Sequence, residues 1–294
     1  MDVPAGGHHC QRIAGGKEEA WEEAALIEPR GMMGRAPKSI RALCTGRDDW
    51  AVLASIGMLV VMIGSVAHEV IGHGLGCALD GGTITLVTFL VFRCDGASWL
   101  ADGGGPIGAF AVGCFALLIA HVSRTGSGLL RLSSFTVASV LLFWVFAQMV
   151  REAFDGSDDW GHVARDLHWP SEWHLFVAVI GVIGYVLTLR LMRQLAVSIV
   201  DGQPPRLIIP YLAAALSAPL LGALWHGGAT ASALDGFLTF AIAPFGHLML
   251  LTSIDRKRAP EGAISRNHAF VGVALITFVL FAVLIAPGLG RLSL

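Results

Sequence analysis

The chain has 294 residues, 54% of them apolar and 14% charged, with a formal net charge of −2. A soluble domain carries about 25% charged residues, so the composition argues against an ordinary soluble enzyme, and no basic block suggests a nucleic-acid partner. The charge is also uneven, since 15 of the 42 charged side chains fall in residues 1–49.

Residues 1–49 lack the apolar h-region expected of a secretory leader, since their longest apolar stretch is residues 24–27. They read as a flexible cytoplasmic tail, and residues 50–294 as one membrane-embedded domain. Seven apolar segments follow, at roughly 51–72, 104–122, 132–150, 173–192, 207–225, 236–252 and 269–287. Each can cross about 30 Å of hydrocarbon as a helix. The expected fold is therefore an all-α polytopic membrane protein of about seven transmembrane helices. Residues 83–93 depart from this pattern: threonine and β-branched residues dominate, Gly81-Gly82 precede them and Asp95-Gly96 follow. They predict a strand or hairpin at the membrane surface, or dipping into it beside protein.

The five cysteines contain no CxxC pair and are odd in number, so they predict neither a disulfide framework nor a zinc ribbon. They read as small apolar fillers. Placing the N-terminus inside puts 16 Lys/Arg on the inner side and 4 on the outer, the bias of a cytoplasmic N-terminus. A Gly- and Ala-rich chain of this kind fits a bacterial inner membrane.

The outer end of the first segment reads AHEVIGHGL. Ionisable residues at that depth are expensive unless paired or functional. In zinc hydrolases, HExxH sets two histidines on one helix face and uses the glutamate as base. Here His68 and His73 are five residues apart, which on a regular α-helix separates them by about 140°. A shared metal therefore requires a π-bulge or a helix ending near Gly72-His73-Gly74. The competing reading is a buried His68–Glu69 pair that braces helices.

The stretch AHEVIGHGLGCALDGG, the β-like segment after it and GGGPIGAF at residues 103–110 together resemble the site-2 protease class of intramembrane zinc metalloproteases. The histidine spacing is one residue longer than in that class, and the usual Asn after the Gly-Pro is absent. The resemblance implies a Zn²⁺ cofactor held by His68 and His73, Glu69 as general base, and a third ligand from an aspartate in a later segment. Asp159, in FDGSDDWGHVARD at residues 154–166, is the first candidate, with Asp158 and Asp155 behind it. Asp235, in Leu234-Asp235-Gly236, is the alternative. The topology puts His226 on the same outer side, and His121, His247 and His268 on the inner one.

The implied activity is hydrolysis of peptide bonds in membrane or membrane-proximal proteins. Two other classes stay open on sequence alone. One is a non-catalytic protein using the cluster for metal or proton transport, and the other an inactive relative that binds partners.

Overall fold

The computed structural model describes residues 47–123, 128–254 and 262–292. Residues 1–46, nearly all of the expected tail, lie outside the described residues. Asp48 and Asp49, which the sequence reading assigned to that tail, belong to the membrane body. Asp48 is buried and pairs with Arg206. Asp49 caps the first helix, its carboxylate accepting the Val52 N–H at 3.1 Å.

Among the described residues, six helical segments are long and apolar enough to span a bilayer: Trp50–Leu79, Trp99–Val122, Gly128–Asp155, Trp173–Ile199, Pro205–Gly222 and Ala229–Ser253. The first combines α1 (Trp50–Ser65), a π-helical stretch (Val66–His73) and α2 (Gly74–Leu79). Next come α3 (Trp99–Val122), α4 (Gly128–Asp155), the short α5 (Asp159–Asp166), α6 (Trp173–Ile199) and α7 (Pro205–Gly222). The sixth span opens as α8 (Ala229–Phe237) and then breaks, as its Pro244 and Gly246 foreshadow. The seventh apolar helix, α10 (His268–Leu284), has 17 residues. At about 1.5 Å per residue it is close to 25 Å long, shorter than the other spans; α9 is the single turn Gly246–Met249. The chain is an all-α polytopic membrane protein.

Helix α4 is the axis of the bundle, packing on α3 and α6. Phe135, Leu141 and Phe143 of α4 are fully enclosed, with Leu53 and Val60 of α1 and Phe240 of the sixth span in the same core. In contrast α6 and α10 expose Leu175, Ile180, Ile183, Ile276 and Val279. Apolar side chains on the outer surface belong against lipid, where exposing them costs nothing.

The strand-like segment forms a hairpin of β1 (Thr83–Val87) and β2 (Phe92–Asp95), with Thr83 opposite Asp95 and Val87 opposite Phe92. Its tip dips into the bundle: Phe89 is fully buried between Phe240 and Phe281, and Ser65 Oγ donates to its carbonyl at 2.7 Å. A third strand, β3 (Leu289–Leu292), pairs antiparallel with β1, giving the order β2-β1-β3. Four residues without alternation carry no sequence signal for that strand.

The cysteine reading needs correction. Cys77 of α2 and Cys94 of β2 form a disulfide, and only Cys114 among the described cysteines is free. The pair joins segments separated by 17 residues, which come together only because the chain reverses at Gly81-Gly82.

Candidate metal centre

The π-helical stretch covers the whole HExxxH motif, Val66–His73. Its hydrogen bonds run from residue i+5 to i, as in Gly74 N–H donating to the Glu69 carbonyl. Residues five apart thus come nearly into register, and the His68 and His73 ring centroids lie 4.7 Å apart. Packing on α3 holds this stretch. A methyl on Gly72 would lie 2.4 Å from the Gly104 carbonyl oxygen, so the two backbones meet where glycine stands on both sides.

Asp159 completes the group. Its two carboxylate oxygens face the two rings, Oδ2 at 3.1 Å from His68 Nε2 and Oδ1 at 3.4 Å from His73 Nε2. One ligand atom from each of His68, His73 and Asp159 lies within 4.8 Å of the others. All three residues are buried. His73 Nδ1 donates to the Ala101 carbonyl at 2.7 Å, which leaves the Nε2 lone pair for a cation. Gln148 Nε2 donates to Asp159 Oδ2 at 2.8 Å. The His68 ring lies against Trp144, with centroids 4.8 Å apart. Space for an ion comes from Gly105: a Cβ there would lie 2.4 Å from His73 Nε2 and 2.8 Å from His68 Nε2. Two imidazoles, one carboxylate and a gap bordered by a glycine fit a divalent metal ion.

The acidic turn after α4 delivers Asp159. Asp159 is the first residue of α5, whose free N-terminal amides are capped from α4. Glu152 Oε2 accepts from Trp160 N at 2.5 Å and from Gly161 N at 3.3 Å. Burial works against an ionised Asp159, but the charges of His73 and His68, with the His68 and Gln148 hydrogen bonds, outweigh it and hold the carboxyl below the usual carboxylate range. Asp158 goes the other way. Burial and the neighbouring Asp159 charge outweigh Arg151 and push it up to about 6.

The rival carboxylates are engaged elsewhere. Arg151 pairs with Asp158, with Asp235 at 3.2 Å and, more loosely, with Asp155 at 3.9 Å. Glu69 is buried at 3% exposure and lines the same cavity as the histidines. That cavity has a volume of about 530 Å³, and Leu90, Val91 and Phe92 of the hairpin also line it. The Phe92 ring stacks on His73 at 5.4 Å.

Of the other histidines, His226 is exposed and does not border the cavity. His247 is fully buried, with Ser139 Oγ 2.8 Å from its Nδ1 and its Nε2 3.3 Å from the Leu207 carbonyl oxygen. His162 stands at the cavity, 3.8 Å from Asp102. Sequence reasoning missed Gln148, Arg151, Glu152 and Gly105. Three polar residues within one turn at the end of an apolar span are a signal that could have found the first three. Comparison of the chain with protein-family models, curated proteins and solved structures finds no match.

Proposed function

We propose that this chain is a zinc metallopeptidase of site-2 protease type, acting on membrane or membrane-proximal proteins. The observation that carries the reading is the π-helical register, which turns an HExxxH spacing into two imidazoles facing one carboxylate with Glu69 on the same cavity. Two histidines and a carboxylate, with a fourth position open, are the donor set of catalytic zinc rather than of the oxygen-loving cations.

His68, His73 and Asp159 would hold the ion. Zinc bound there would supply a water acidified to a pKa of about 7 and a Lewis acid for the substrate carbonyl. Glu69 takes the proton from the attacking water and hands it to the leaving amine. Gln148 keeps Asp159 turned toward the histidines, and the Ala101 carbonyl keeps the proton of His73 on Nδ1. Strand β2 ends the sheet, and its outer edge offers backbone groups to a substrate in extended form. A membrane helix must unwind to reach that form before its peptide bonds are attackable.

We read the centre as facing the outer side, with the N-terminus cytoplasmic. The Lys/Arg asymmetry supports this, and so does the Cys77–Cys94 disulfide, since such bonds persist in oxidising compartments. The test is hydrolysis of quenched peptides by the purified protein, abolished by a chelator and restored by zinc. A protein that binds zinc and cleaves nothing in a broad peptide library favours the transport or partner-binding alternative.

A further inference from the structure

A second cavity of about 240 Å³ opens beside the metal centre, between Trp144 and Ala147 of α4 and Leu238, Ile242 and Ala243 of the sixth span. Five of its eight lining residues, Trp144, Gln148, Arg151, Leu238 and Thr239, also line the larger cavity, so the two spaces are adjacent.

The side cavity follows from the break in the sixth span. After α8 the chain runs as a π-helix over Leu238–Ile242 and as a 3₁₀ turn over Ala243–Phe245, with Pro244 outside helical geometry at φ −84° and ψ 22°. The π repeat brings Leu238 and Ala243, five apart, onto one wall. Backbone groups freed by a break must find partners in a membrane. Both tyrosines of the chain provide them: Tyr211 donates to the Ala241 carbonyl, and Tyr185 donates to the Ala243 carbonyl at 3.1 Å while accepting Gly246 N–H at 2.8 Å. The broken wall is therefore held in place. At the outer end, Arg151 is tied to Asp235 of α8 at 3.2 Å.

We infer that this side cavity is a specificity pocket, taking one medium-sized apolar side chain, of the leucine class, from the substrate residue next to the bond cleaved. The inference rests on the peptidase reading above. Its walls are apolar apart from Gln148, Thr239 and Arg151 at the junction, and it is smaller than the roughly 300–1,000 Å³ of a pocket for a whole ligand. Trp144 borders both cavities and lies against His68, so an occupant sits within a residue's reach of the metal. Successive side chains of an extended peptide point to opposite faces about 3.3 Å apart. A chain that lays one carbonyl at the histidine pair thus presents successive side chains to opposite walls of the cavity. An acidic side chain is disfavoured by the apolar wall that Trp144, Ala147, Leu238, Ile242 and Ala243 make.

The experiment uses the full-length, zinc-loaded protein and peptidyl hydroxamates in which the residue beside the zinc-binding group carries a methyl, isobutyl or carboxymethyl side chain. Isobutyl should bind at least about tenfold more tightly than methyl, and carboxymethyl most weakly. Ala147→Phe and Ala243→Leu, which fill the pocket from opposite walls, should each cut the isobutyl-to-methyl ratio to about twofold or less. The ratio is taken within each variant, so a general loss of folded protein cancels. A flat series, or an unchanged ratio in both variants, overturns the pocket. The full pattern without cleavage of any peptide leaves the pocket standing and sinks the peptidase reading. Cleavage with a flat series does the reverse. No hydroxamate binding at all overturns the pocket together with the metal centre.

Discussion

His68 and His73 stand five positions apart in the chain, yet their rings meet edge to face with centroids 4.7 Å apart. That contact exists because the helix is π-wound through the motif and because Gly105 of α3 leaves room in front of both Nε2 atoms. Gly105→Ala should therefore lower zinc affinity by at least about tenfold, its methyl filling the gap in front of the two Nε2 atoms. Gly103→Ala, where a Cβ meets only Val163 Cγ2 at 3.3 Å, should leave affinity within about threefold. Competitive titration with a chromogenic chelator measures both; equal effects would remove Gly105 from the centre.

Asp159→Asn should weaken zinc binding by at least about tenfold, since a lost ligand costs no less than the 10 to 100-fold of an outer-shell change. Asp158→Asn and Asp235→Asn should fall well short of that, because both side chains are spent on Arg151. If Asp235→Asn alone released the metal, the third ligand would have to be reassigned to the sixth span.

Glu69→Gln should keep the metal stoichiometry of the parent protein and cut peptide hydrolysis by about 100-fold or more, the value of a positioned base. Metal content by mass spectrometry and turnover of a quenched peptide are read on the same preparation. Joint loss of both would make Glu69 a ligand.

Asp48→Ala should destabilise the protein by roughly 3–5 kcal/mol, the cost of stranding a buried charge. Asp48 accepts from Arg206 Nε at 2.9 Å and Nη2 at 3.0 Å and from the Ile264 N–H at 2.7 Å, tying the start of the body to α7 and to the segment before α10. Thermal unfolding in detergent should show the loss, with Arg266→Ala, whose bond to Asp49 is exposed, as a near-silent control.

In a cysteine-light background with Cys77 and Cys94 retained, Ser157→Cys should react with a membrane-impermeant maleimide added from outside intact cells. Ser265→Cys should react only after permeabilisation. The opposite pattern would reverse the orientation.

Sequence alone determined the fold class, a strand or hairpin over 83–93, and the need for either a π-bulge or a helix end at HExxxH, because apolar run length, β-branched patterning and residue spacing are local quantities. It also ranked Asp159 first, on the Trp160-Gly161 that follows it and on the resemblance, which implies an aspartate from a later segment. Tertiary structure decided the rest. Asp158 and Asp159 are neighbours in the same turn, and what separates them is which helix faces each one: Arg151 takes the first, His68 and His73 the second. The Cys77–Cys94 bond, the β3 pairing and the glycine gap at Gly105 likewise arise between segments distant in the chain. A single sequence lists such residues without saying which of them meet, since proximity is set by how spans pack against one another and not by their order.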